Sequence, residues 1–200
     1  YGIAIDSSDN VWVSNLGADT VTKLDSSGGL VGTYPVGDAP LGIAIDSADN
    51  VWVVNQADDN IKKLNGSTGA TIDTYSVGDY PIGITIDASD NVWVTNYSDD
   101  TVTKHNSSGG LVGTYSVGDG PRGISVDSSN NIWVANAVSN NVTKLSSLGV
   151  SLETYSAGSA PYAFGDFTGF AFQHFVLGCI TPVALKVQGK LEVKGTMKIK

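Results

Sequence analysis

The sequence predicts an all-β protein, a β-propeller of four-stranded antiparallel blades. Three observations lead there. The string VWVSN at 11–15 returns as VWVVN at 51–55, VWVTN at 92–96 and IWVAN at 132–136, so that Trp12, Trp52, Trp93 and Trp133 are spaced by 40, 41 and 40 residues. Tyr34, Tyr75, Tyr115 and Tyr155, and likewise Pro40, Pro81, Pro121 and Pro161, keep step with them. Each period holds four short β-branched or aromatic runs bounded by Gly, Asp, Asn or Ser, and a repeat of about 40 residues carrying four strands is the period of a propeller blade.

The first run of each copy is GIAID, with GITID and GISVD variants. It lacks a clean polar alternation, which suits a strand covered on both faces, and its small residues suit a crowded hub. The turn that follows is DSSDN, DSADN, DASDN or DSSNN. Asp, Ser and Asn form turns because their side chains bond the nearby backbone and tolerate the left-handed region. The second run, NVWV, carries the tryptophan, expected to fill the space between blades, where burying an aromatic ring stabilises by roughly 2–3 kcal/mol. The third run is TVTKL, or IKKL in copy two, and the fourth is LVGTYSV or similar. The one extra residue of copy two falls where NGSTGAT replaces DSSGGL, a loop insertion. Apolar residues nowhere recur at helical spacing, so no helix is expected.

Four copies occupy residues 1–160. Residues 161–183 read as a degenerate fifth first-strand hairpin that closes or caps the last blade, with Pro161 in phase and Asp166 near the turn position. Residues 184–200 alternate apolar residues with Lys or Glu, a β-strand tail and the expected start of a further β-rich region. Because the chain opens one residue inside a copy and stops without a cap, it is expected to be part of a longer protein or of a ring closed between chains.

Composition narrows function. Apolar residues make up 41% and charged residues 16%, enough to bury a core. Residues 1–160 carry 18 acids and 6 bases, and the whole chain has a net charge of −9. That argues against nucleic acid and anionic membranes as partners. The apolar stretch 167–185 is broken by Gln173, His174 and glycines, unlike a membrane span of about 20 apolar residues. A lone cysteine, Cys179, excludes an intrachain disulfide framework and reads as a small buried hydrophobe. No P-loop, dinucleotide fingerprint or Ser-His-Asp arrangement is present.

The pattern P-x-G-I-A-I-D-S-x-D-N-V-W-V-x-N, then V-T-K-L, then G-T-Y, resembles NHL-type propeller repeats and most of all the virginiamycin B lyase-like (streptogramin lyase-like) superfamily. The resemblance covers about 160 of the 200 residues. It implies five to seven blades in a full ring and a ligand face formed by the loops between strands two and three and between strand four and the next blade. On that face lie Asn15, Asn55, Asn96 and Asn136, the aspartates Asp38, Asp79 and Asp119, and Arg122, the one arginine of the repeats. Asp19, Asp58, Asp59, Asp99 and Asp100 share these loops.

Three readings of function stay open. The first is a binding module whose amide and carboxylate ring accepts a polar small molecule, glycan, peptide or protein partner, or a divalent cation; calcium takes oxygens of this kind, and magnesium is the alternative. The DSxDN turns lack the glycine and glutamate of an EF-hand and are read as hairpin turns. The second is a lyase, for which the resemblance implies a histidine and a glutamate acting with a divalent metal. The chain offers His105, His174, Glu153 and Glu192, none at an alignable catalytic position, so such a site is expected in blades other than these. The third is a structural subunit of a surface assembly, with self-association. The sequons at Asn65, Asn96, Asn106 and Asn141, with the Ser, Thr and Asn richness, lead to an expected extracellular or cell-surface location.

Overall fold

The computed structural model describes residues 1–161. The segment 162–183, the tail 184–200, the apolar stretch 167–185, His174, Cys179 and Glu192 lie outside the described residues. Sixteen strands form four sheets of four, each antiparallel and each in chain order. Blade one holds β1 (Ile3–Ile5), β2 (Val11–Asn15), β3 (Thr20–Leu24) and β4 (Leu30–Pro35). Blade two holds β5 (Pro40–Ile45), β6 (Val51–Asn55), β7 (Asn60–Leu64) and β8 (Thr71–Ser76). Blade three holds β9 (Pro81–Ile86), β10 (Val92–Asn96), β11 (Thr101–His105) and β12 (Leu111–Ser116). Blade four holds β13 (Pro121–Val126), β14 (Ile132–Asn136), β15 (Asn141–Leu145) and β16 (Ser151–Ser156). No helix occurs among the described residues.

The first strands β1, β5, β9 and β13 stand side by side and form the hub, and the fourth strands form the rim. Burial follows that order. β5 is covered along its whole length, whereas β16 is exposed throughout. At the hub a Cβ on Gly2, Gly42 or Gly83 would meet the carbonyl oxygen of Leu41, Ile82 or Arg122 in the next blade, so the position admits only glycine.

The core is three copies of one interface. Trp12, Trp52 and Trp93 are wholly buried against the next blade. Trp12 lies on Ile43, Ile45, Val51, Val53 and Leu64. Trp52 meets Ile84, Ile86, Val92 and Val94, and Trp93 meets Ile124, Val126, Ile132 and Val134. The fourth copy differs. Trp133 is only partly covered and its stacked partner Tyr155 is 40% exposed, because its face has no following blade among the described residues. At the other end Ile3 and Ile5 are 60% and 50% exposed, while their counterparts Ile43 and Ile45 are buried. Among the described residues, blade one and blade four therefore present two unlike half-interfaces.

A second contact repeats with the first. Gly69, Gly109 and Gly149 occupy the turn between the third and fourth strands with φ of 71°, 86° and 80°. A Cβ on any of them would overlap the ring of Tyr34, Tyr75 or Tyr115 from the preceding blade. Gly28 has the same backbone, φ 88°, with open space around it. The extra residue of copy two lengthens this turn to 65–70, between β7 and β8.

These two glycines separate backbone strain from inter-blade packing. Gly28→Ala should cost about 1–2 kcal/mol, the left-handed penalty alone. Gly109→Ala should cost about 1–3 kcal/mol more, because Tyr75 must also move. Urea unfolding of both variants checks the difference; equal losses would refute the tyrosine contact.

Candidate functional site

Two polar networks run around the arc, one inside the blades and one at the loop face. The inner network begins at Asp6, Asp46, Asp87 and Asp127, the first residue of each DSxDN turn. Asp6 Oδ1 accepts the backbone N–H of Ser8 and of Asn10, at 3.0 and 2.9 Å, as an Asx turn requires. Its Oδ2 accepts the Trp12 indole N–H at 3.2 Å, and Lys23 Nζ stands 3.3 Å away. The same Lys23 Nζ lies 4.9 Å from the Trp12 ring centre and donates to the Gly66 carbonyl of blade two at 2.7 Å. Lys63 repeats this onto Ser107 and Lys104 onto Ser147. Each buried lysine is thus neutralised inside its blade and spends its remaining N–H on the neighbour. A carboxylate, amide, indole and amine at Asp6, Asn10, Trp12 and Lys23 recur in every copy. This network is structural, and the turns bear out their reading as hairpin turns.

Burial raises the Asp6, Asp46 and Asp127 carboxyls, but hydrogen bonds from the asparagine, the indole and the turn backbone outweigh it and hold all three below the ordinary 3.8. Asp127 falls to about 2.

The outer network forms the loop face. It joins the connections between second and third strands (16–19, 56–59, 97–100, 137–140) to the inter-blade linkers (36–39, 77–80, 117–120, 157–160). Asn55 Oδ1 accepts the Gly37 N–H at 3.0 Å, and Asn96 Oδ1 accepts the Gly78 N–H at 3.1 Å. Asp58 Oδ2 accepts the Asp38 N–H and Asp99 Oδ2 the Asp79 N–H, while Ser139 Oγ accepts the Asp119 N–H. Asp19, Asp59, Asp100 and Asn140 accept the N–H of Ala39, Tyr80, Gly120 and Ala160 in turn. Those four acceptors let the linker residues hold φ near +50° to +60°.

The structure therefore sorts the residues expected on this face. Asn55, Asn96 and Asn136 lie fully buried beneath it, and Asn15 is partly covered. Their amides bind neighbouring strands and linkers: Asn15 Nδ2 donates to Thr22 Oγ1 at 2.8 Å, and Asn136 Nδ2 to Thr143 Oγ1 at 2.8 Å. Asn55, Asn96 and Asn136 support the face from below rather than line it, because each is the last residue of a blade's second strand and faces the linker that arrives from the blade before. Asp38, Asp79 and Asp119 are exposed on the face itself. Arg122 also reaches it, with its guanidinium carbon 4.8 Å from the ring centre of Tyr97. Tyr97 in turn packs on Tyr80, with ring centres 5.8 Å apart. Both tyrosines escape a search for chemical motifs; the signal that marks them is an aromatic where the other copies have none, their counterparts being Leu16, Gln56 and Ala137, and Ala39, Gly120 and Ala160.

Among the described residues no three His, Cys, Asp or Glu side chains converge to hold a metal ion. His105 stands where the other copies carry leucine; it is 2% exposed in the third strand of blade three, with Nδ1 at 2.9 Å from the Gly109 carbonyl. It does not reach the loop face. Glu153 sits on the rim strand β16.

No protein-family model matches the chain, and no curated protein does. Solved structures match strongly. A streptogramin B lyase structure is 22% identical with a TM-score of 0.72, over 78% of this chain and 54% of that one. A catalytically inactive variant of virginiamycin B lyase from Staphylococcus aureus, with quinupristin, is 18% identical with a TM-score of 0.73, over 80% and 57%. Hydrazine synthase of Kuenenia stuttgartiensis is 19% identical with a TM-score of 0.72, over 78% and 48%. The chain shares the propeller fold of the virginiamycin B lyase-like proteins and spans about half the length of these structures.

The depressed carboxyls set an acid limit. A group whose pKa is lower in the folded state contributes stability fully above its unfolded value, and that stability is lost as pH falls through the folded value. The melting temperature should hold steady down to about pH 5 and fall steeply between about pH 4 and pH 2. Asp127→Asn should remove part of that fall. Calorimetry across this range checks it; a fall complete above pH 5 would contradict the assignment.

Proposed function

We propose that this chain is the binding module of an extracellular or cell-surface protein, and that its loop face takes a polar small molecule, glycan or protein partner. The observation that carries this is the exposure of Asp38, Asp79 and Asp119 at one register of successive blades. Their backbone N–H groups are already clamped by Asp58, Asp99 and Ser139. These exposed aspartates thus stand on loops whose backbone is already held, the preorganisation that lowers the entropic cost of binding. Arg122 adds the opposite charge on the same face, and the buried Asn55 and Asn96 hold the linkers at Gly37 and Gly78 in place.

Catalysis has less support. Two of the neighbours bear the name of a lyase, but the described histidine, His105, is buried in a third strand away from the loops. A divalent cation bound by side chains alone also has less support, since among the described residues no three His, Cys, Asp or Glu side chains converge. Calcium and magnesium stay in the test for that reason.

The test is thermal melting of the 200-residue chain with calcium, magnesium, a panel of oligosaccharides and a panel of peptides. At a concentration of about 100 Kd a ligand specific to the folded state adds about 2.7 kcal/mol. One class should raise the melting temperature, and Asp79→Asn combined with Asp119→Asn should abolish the rise. No rise with any class would sink the proposal.

A second reading, a subunit of a larger assembly, is favoured by the two half-interfaces. Ile3 and Ile5 at one end and the Trp133–Tyr155 face at the other are the two sides of the contact formed three times inside the arc. On this reading light scattering should show mass rising with concentration, and Ile3→Lys with Ile5→Lys should abolish the rise; a constant monomer mass would remove the reading.

A further inference from the structure

We propose that Tyr80, Tyr97 and Arg122 form a carbohydrate-stacking site on the loop face between blades three and four, and that it takes a neutral pyranose. This deepens the binding-module reading above and rests on it.

The three residues come from separate elements, the linker 77–80, the connection 97–100 and the start of β13. They meet because Tyr97 N–H donates to the Tyr80 carbonyl at 3.0 Å. A Cβ at Gly120 would crowd Tyr97, so the glycine leaves that ring its place. Tyr80 and Tyr97 are aromatic at positions that the other copies fill with Ala or Gly and with Leu, Gln or Ala, and Arg122 stands where the copies before it carry Tyr1, Leu41 and Ile82.

Tyr80 is the telling position. It is 48% exposed and holds φ 55°. The other copies fill the same conformation with Ala39, Gly120 and Ala160, at φ 53°, 63° and 48°. Their N–H groups make the same bond to the preceding connection that Tyr80 makes to Asp59. The linker therefore needs no ring here, and a bulky side chain in the left-handed region is unfavourable. An aromatic kept at that cost, half open to solvent, is accounted for by what its free surface binds.

The surroundings select the ligand. A cation is disfavoured as the stacking partner, because the Arg122 guanidinium already lies over Tyr97. An anion is disfavoured by the exposed Asp79, Asp99 and Asp119 beside the patch and by the acidic balance of the repeats. A neutral ring with an apolar C–H face and hydroxyl edges satisfies both: the C–H face stacks on tyrosine, and the hydroxyls donate to carboxylates.

The experiment is calorimetric titration of the 200-residue chain with lactose, maltotriose, mannotriose and chitotriose, with tetramethylammonium and a sulfated disaccharide as charged comparisons. The variants are Tyr80→Ala, Tyr97→Leu and Arg122→Leu, each the residue of another copy and so compatible with the fold. The expected result is that one neutral sugar binds, that Tyr80→Ala and Tyr97→Leu each weaken it at least tenfold, and that the melting temperature of the unliganded chain is unchanged. Unchanged affinity in Tyr80→Ala overturns the site. If Asp79→Asn with Asp119→Asn still abolishes binding in that case, the face reading survives without it. Binding of a charged probe in preference to every sugar overturns the ligand class alone. No binding of any probe, together with no melting rise in the wider panel, overturns both.

Discussion

Each blade presents a tryptophan that it cannot bury by itself. The whole architecture follows from that deficit. Trp12, Trp52 and Trp93 each need the Ile, Val and Leu face of the blade that comes after, and the indole N–H of each must be satisfied before it leaves water. The turn aspartate satisfies it, and the lysine beside that aspartate carries the bond across to the neighbour's loop carbonyl. Hydrophobic area and polar satisfaction therefore point the same way at every joint. The tyrosine seated on the next blade's turn glycine adds a steric gauge of the spacing.

Much of this was legible in the residues. The period, the sixteen strands, the hub glycines and the turn aspartates all follow from local pattern, because a strand's two faces and a turn's left-handed position are set by neighbours close in sequence. The burial of Lys23, Lys63 and Lys104 is not legible in the third run TVTKL. Their partners at Gly66, Ser107 and Ser147 lie more than forty residues away, in a register that only the packed arc supplies. Trp133 shows the converse: its sequence context equals that of the other three, yet its burial differs, because burial belongs to the pair of blades.

The candidate site divides along the same line. Asp38, Asp79, Asp119 and Arg122, expected on the loop face, lie there. The asparagines are expected on the same face, yet three of the four amides sit fully beneath it. Asn55 accepts from Gly37 and Asn96 from Gly78, each eighteen residues upstream in the preceding linker. Position along a strand does not disclose such a bond. Tyr80 and Tyr97 carry no motif at all and become visible only when the copies are laid over one another and the mismatches are mapped in space.

The Trp, Tyr and Lys contacts have a direction: blade n always offers the tryptophan, the tyrosine and the lysine, and blade n+1 always offers the aliphatic face, the turn glycine and the carbonyl. The three joints therefore present chemically similar partners to one another. What discriminates is the four-residue linker, 36–39 between β4 and β5, which brings the correct neighbour into reach first and makes its loop-closure entropy the smallest. With the joints so alike, the short tether favours the blade order of the chain. The same likeness lets a forty-residue unit be duplicated or deleted in the gene without a new interface having to be invented.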